Sequence, residues 1–242
     1  MIERRFAGVI KKDTMKITEY LTDTYVDLQE EWESGDTWYD NCIKNVLAEL
    51  KPVNNEWWVN PAEHPEKWEL SVDGDLIPDW FLANEQKYES KFRSLVYDWW
   101  KDHVFVAEKI DTLENGYFLL KDCKVDTLDT DVKAVLNDSM VEYMHSNAVV
   151  LEMLGYSTIE NMFDFSEVQW MKDSSVVGCM WGYSSIVSMY DKTTVHKMYD
   201  FSIVHTMHGS SSVENICDYA LARDFKYNLS SRLLTHTVTY YF

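Results

Sequence analysis

The chain has 242 residues, enough for one large or two modest domains with a substantial core. Its 41 Asp and Glu outweigh 22 Lys and Arg, a net charge of −19, so no basic stripe is available for gripping a phosphate backbone. Ten Trp and fifteen Tyr are a heavy aromatic load that excludes a disordered polymer.

The N-terminal dozen residues, MIERRFAGVIKK, contain only the apolar run Ala7 to Ile10, too short for a signal peptide. No segment approaches the roughly 20 apolar residues that span a bilayer. With four cysteines (Cys42, Cys123, Cys179, Cys217) and no C-x-x-C, the expectation is a cytoplasmic protein with reduced thiols. Ile17, Tyr20/Leu21, Tyr25, Leu28 and Trp32 recur at helical spacing and predict an amphipathic helix over 16–33. Its polar side carries Asp23, Asp27, Glu30 and Glu31. Asp36 caps a second expected helix, with Trp38/Tyr39, Cys42/Ile43, Val46/Leu47 and Leu50 as its buried stripe and Pro52 as its stop. Trp68, Leu70 and Val72 alternate as in a strand, and a third helix is expected over 85–103. Asn115-Gly116 is a hairpin signal leading into Tyr117–Leu120, read as the strand that closes the first coil of a C-terminal repeat region.

The repeat region is built on a nine-residue unit. Stepping by nine from Ile159 gives Val168, Val177, Ile186, Val195, Val204 and Val213; from Met162 it gives Met171, Met180, Met189, Met198, Met207 and Ile216. Asp or Gly recurs between them (Asp164, Asp173, Gly182, Asp191, Asp200, Gly209, Asp218), as does a small hydroxyl (Ser166, Ser175, Ser184, Thr193, Ser202, Ser211). The unit is V/I-x-x-M-x-D/G-x-S/T-x. Nine residues are too few for a helix pair, and Asp, Gly and Ser at fixed offsets are turn chemistry, so the unit predicts a β-solenoid. The expected strand is S-x-V with both marked residues inward, the Met filling the next corner and Asp or Gly turning the chain. At position seven, Phe165, Tyr183, Phe201 and Tyr219 alternate strictly with Ser174, Lys192 and Ser210, so the coil holds two units, about 18 residues. Position five shows a looser form, with Phe163, Trp181 and Tyr199 in alternate units. Counted from a degenerate first copy at Val132, the repeat yields about five coils and roughly 25 Å of solenoid.

The expected fold class is therefore α+β: an acidic, Trp-rich helical or mixed domain over 1–120, then a two-sided β-solenoid of about 18 residues per coil over 121–228. A capping or dimerising strand is expected over 229–242. The acidic excess is 12 in the first 120 residues and 7 in the remainder. An open solenoid end would recruit strands, so the helical domain is expected over one end and the tail over the other, or against a second chain in a homodimer.

The V-x-x-M-x-D/G-x-S run behind a Trp-rich N-terminal region resembles tandem repeats of bacteriophage and prophage proteins. In general idea only, the chain also resembles pentapeptide-repeat proteins that imitate DNA. The resemblance brings no catalytic residues; a host protein is expected as partner because the chain is acidic, built on a rigid scaffold and without recognisable chemistry. The unit departs from the calcium-binding nonapeptide pattern, so the single Asp per unit reads as a turn residue and no metal is expected. His205-x-x-His208 lacks a third ligand, Ser210–Ser212 is no nucleophile elbow, and Asp73-Gly74-Asp75 lacks the remaining calcium ligands. No enzyme activity and no cofactor are expected. The candidate partner-binding residues are Phe165, Tyr183, Phe201, Tyr219, Trp181 and Tyr199, with Asp23, Asp27, Glu30 and Glu31. The ring column is either an ordinary ladder or an exposed contact strip. The acidic positions are either a solvated face or an imitation of phosphates in a partner's basic groove. The functional expectation is a non-enzymatic inhibitor of a host defence protein such as a CRISPR component; nucleotide sequestration and self-assembly are the rivals.

Overall fold

The computed structural model describes residues 5–20, 44–73 and 77–224, in two compact units, Met1–Asp102 and His103–Phe242.

In the first unit, β1 (Arg5–Lys11) and β2 (Met15–Tyr20) form an antiparallel hairpin. With β3 (Asn45–Pro52) and β4 (Trp68–Asp73) they make a four-stranded sheet ordered β2-β1-β3-β4. A short helix α1 (Asp79–Leu82) precedes α2 (Glu85–His103), which covers the range expected for the third helix. It buries Tyr88, Phe92 and Val96, one per turn, in a core with Phe6, Ile10, Leu50 and Trp68. Gly8 on β1 lets the Phe92 ring approach; a Cβ there would sit 2.5 Å from its Cε2. The remaining backbone is tied down from side chains: Tyr88 donates its hydroxyl to the Lys12 carbonyl (3.0 Å), and Trp100 its indole N–H to the Trp57 carbonyl (2.9 Å).

Two expected helices are corrected here. Residues 15–20 are strand, and the rest of the 16–33 segment, with Asp23, Asp27, Glu30 and Glu31, lies outside the described residues. The end of the second expected helix is β3, where Val46, Ala48 and Leu50 alternate inward between β1 and β4. Val46, Leu47 and Leu50 also fit a helical stripe, and over so short an apolar run the periodicity cannot separate the two; sheet pairing decides.

The second unit is a β-solenoid of about seven turns built from two parallel sheets. One sheet stacks β5 (Val104–Val106), β7 (Gly116–Lys121), β9 (Val132–Asn137), β11 (Val149–Leu154), β13 (Glu167–Met171), β15 (Ser185–Met189), β17 (Ile203–Met207) and β19 (Leu221–Asp224). The other stacks β6 (Lys109–Leu113), β8 (Lys124–Leu128), β10 (Met140–Met144), β12 (Thr158–Met162), β14 (Val176–Met180), β16 (Thr194–Met198) and β18 (Ser212–Ile216). Residues 18 apart are paired: Ile159 faces Val177, which faces Val195, which faces Val213. At the usual strand spacing seven turns rise roughly 34 Å. The ladder thus starts earlier than the repeat signature, at Val104, with two coils whose sequence no longer carries the Met. Asn115 turns the chain with φ 51°, but β6 and β7 belong to different sheets, so the expected antiparallel hairpin is absent. Nor does β7 close the stack, because it pairs with β5 on one side and β9 on the other. The tail over 229–242 lies outside the described residues.

Within each unit the strand differs from the S-x-V expectation. It runs from position nine to position four, so valine and methionine both belong to it, in the exposure pattern half-buried, buried, half-buried, half-buried, buried. From Ile159 through Val204 both apolar columns are fully buried. The hydroxyl sits in the turn ahead of the strand, where its N–H closes the turn onto the carbonyl three residues back, as from Ser202 to Tyr199 (3.2 Å). Thr193, Ser202 and Ser211 add their hydroxyls to the same carbonyl at 2.7–2.8 Å, whereas the buried Oγ atoms of Ser166, Ser175 and Ser184 make no hydrogen bond.

That difference is testable. Ser202→Ala removes a buried hydrogen bond and should cost about 1 kcal/mol in urea unfolding, whereas Ser184→Ala should be neutral or slightly stabilising. Equal losses would contradict the assignment.

Candidate interaction surface

Each turn between a second-sheet strand and the next first-sheet strand presents three residues, at positions five, six and seven. The position-six residue is left-handed: Ser146, Asp164, Gly182, Asp200 and Asp218 have φ of 55–67°. Only Gly adopts this region freely, with Asp and Asn the next most tolerant, which explains the D/G alternation. Aspartate adds a bond that glycine cannot. The Asp164 carboxylate accepts the Ser146 N–H (3.1 Å), Asp200 that of Gly182 (3.0 Å) and Asp218 that of Asp200 (3.4 Å), always one coil back. Backbone bonds run through the turn as well. Tyr183 N–H donates to the Asp164 carbonyl (2.8 Å), Phe201 to Gly182 (3.0 Å) and Tyr219 to Asp200 (2.9 Å). The corner is therefore as firmly laddered as the sheets.

This ladder dictates where the rings go. Phe165, Tyr183, Phe201 and Tyr219 form one column, with successive centroids 5.4, 5.2 and 5.3 Å apart and planes within 8° of parallel. They are 69, 57, 52 and 78% exposed, so the column is a surface ridge rather than a buried ladder. Two residues away, Phe163, Trp181 and Tyr199 form a second, half-buried column, with Trp181 and Tyr199 stacked at 4.0 Å. All six aromatic candidates thus meet at one corner, with the exposed carboxylates of Asp164, Asp200 and Asp218 between the columns. The four acidic candidates from the first unit fall outside the described residues. His145, stacked on Phe163 at 4.9 Å, extends the second column downward and was missed by the sequence reading. One more step of 18 back from Phe163 reaches it. The opposite corner holds Tyr156, Ser174, Lys192 and Ser210 at the equivalent place and has no such ridge.

Other chemistry is dispersed. His208 stacks on Tyr190 at 4.9 Å, whereas His205 is exposed on the outer face of β17. Ser211 spends its hydroxyl on the His208 carbonyl. Among the described residues no three His, Cys, Asp or Glu side chains converge to hold a metal, and Cys123, Cys179 and Cys217 are free thiols. No helix among the described residues is long and apolar enough to cross a membrane.

Fold and corner together define a class, a two-sheet parallel β-solenoid with a surface aromatic ridge. No family model matches this chain, and neither a curated protein nor a solved structure is found to be similar to it.

A short ion pair ties neighbouring early coils together: Lys121 Nζ lies 2.6 Å from Asp138 Oδ2. Burial works against the charge on Asp138, but the Lys121 ammonium and the Tyr156 N–H outweigh it and hold the carboxyl below its ordinary value of 3.8. Burial likewise opposes the Lys121 charge, and the carboxylates of Asp138 and Asp122 reverse it, raising the ammonium above 10.5. A lowered carboxyl stabilises above its unfolded pKa and loses that contribution as pH falls through the folded value; a raised ammonium loses its contribution as pH rises through its own. Asp138→Asn should therefore lower stability by up to about 1 kcal/mol at neutral pH. The gap to wild type should close below about pH 4. A gap that persists unchanged at pH 2 would rule the pair out as its cause.

Proposed function

We propose that this chain is a non-enzymatic protein-binding module that grips its partner along the aromatic corner, of the phage or prophage type that inhibits a host defence protein in the host cytoplasm. The observation that carries this reading is the row of four aligned rings, each more than half exposed. At 150–250 Å² per aromatic side chain, they present roughly 500 Å², well over half of one partner's share in a standard interface. A contiguous apolar strip of that size is at the upper end of what a monomer exposes, about 300–600 Å², and supports a contact role, since such patches are often functional. Because backbone bonds at every coil hold the rings, little conformational entropy remains to be lost on binding.

Contact rather than charge imitation is the better reading of this corner. Its three carboxylates spread over three coils, roughly 14 Å, where duplex DNA would place about eight charges. Phosphate imitation, if it contributes, belongs to the acidic positions of the first unit.

The test is affinity capture from bacterial lysate with nuclease present, comparing wild type with a Phe165→Ser/Phe201→Ser variant. Both side chains are exposed, so thermal unfolding of the variant should stay close to wild type. A defined protein retained by wild type and lost from the variant supports the reading. Capture that ignores the ring substitutions and disappears in high salt would contradict it.

A further inference from the structure

We infer that the aromatic corner receives a basic amphipathic α-helix of a partner protein, laid parallel to the solenoid axis. The inference rests on the contact reading above and names the occupant of that surface.

The spacing of the rings points to a helix. Successive centroids along the ridge are 5.2–5.4 Å apart. Along the axis the rings step by one coil, about 4.8 Å, close to the 5.4 Å rise of one turn of α-helix, so side chains at i, i+4, i+7 and i+11 stay within about 2 Å of four consecutive rings. An extended strand places same-face side chains about 6.7 Å apart and would be out of step by roughly 6 Å at the fourth ring. Insertion between rings is excluded as well, because carbon atoms need about 3.5 Å to each neighbour and the planes are only one coil apart. The partner must lie across the ring edges, and a helix face of roughly 12 residues spans the whole ridge.

Charge sets the composition of that helix. The carboxylates of Asp164, Asp200 and Asp218 are exposed beside the first, third and fourth rings, and Gly182 leaves the second without one. Lys or Arg flanking the apolar stripe at those three turns would find a partner. A second copy of this chain has the matching period, but it would set the same aspartates against each other in a molecule of net charge −19.

The test uses the full chain and three labelled 20-residue peptides of identical Leu and Lys content, read by fluorescence anisotropy. One places Leu at four successive helical turns, one alternates Leu and Lys, and one is shuffled. The helical peptide should bind most tightly. Its Kd should rise about tenfold with the Asp164→Asn/Asp200→Asn/Asp218→Asn variant, whose asparagines keep the left-handed turn and the acceptor oxygen while losing the charge. Equal binding of all three peptides, tighter binding of the alternating one, or no effect of the triple substitution would overturn the inference. Absence of binding would overturn it too. If lysate capture still depended on Phe165 and Phe201 in that case, the contact reading would stand and only the helix would fall; if neither were seen, both would fall.

Discussion

At each corner of the repeat region one residue is held in the left-handed conformation, with φ between 54 and 67° from Asp164 to Asp218, and the rest of the solenoid depends on it. That single backbone state reverses the chain within four residues. It delivers the following hydroxyl to the buried side and releases the flanking position-seven residue to the outside. Backbone bonds from turn to turn then lock the period at 18, since Tyr183 can donate to Asp164 only if every intervening residue is present. With the period locked, valine stacks on valine and methionine on methionine, fully buried through the middle coils. Methionine suits this place because an unbranched thioether adapts to the gap where two sheets converge on a turn.

The same constraint produces the surface feature. A residue at position seven has no freedom to choose its neighbours; it sits over the residue 18 earlier. Aromatic residues at that place in alternate units must therefore form one continuous ridge, and polar residues in the other units keep the opposite corner free of it. The ridge is a surface consequence of a core and turn requirement. For that reason it is rigid, straight and periodic, properties that make its preferred occupant a matter of pitch and charge.

Much of this is legible in the residues. Fixed offsets of V, M, D/G and S define the coil, and the alternation at position seven defines two units per turn and hence the ring column. The extent of the solenoid is less visible. The coils from Val104 to Asn137 pack Leu113, Leu120, Leu128 and Leu136 where later coils use Met, and hydrophobicity with parallel pairing suffices there without the signature. The strand boundary is misplaced by the sequence because S-x-V marks inward residues, whereas the ladder is defined by backbone bonds that also include the Met. In the first unit, Val46 to Leu50 carries both a helical and an alternating pattern, and the choice is made by β1 and β4, distant in sequence. Exposure of the ridge could not be read from the residues at all, because the same rings could have faced another part of the chain.

The central claim is that residues 18 apart, not nine apart, are neighbours at the aromatic corner. Paired cysteines measure this directly, because adjacent coils bring Cα atoms to a distance a disulfide can bridge and opposite corners do not. The comparison is Phe165→Cys/Tyr183→Cys against Phe165→Cys/Ser174→Cys under mild oxidation, with the linked peptides mapped by mass spectrometry. The account predicts a 165–183 disulfide in the folded protein and none between 165 and 174. Efficient 165–174 bridging, with 165 and 183 left unlinked, would contradict it.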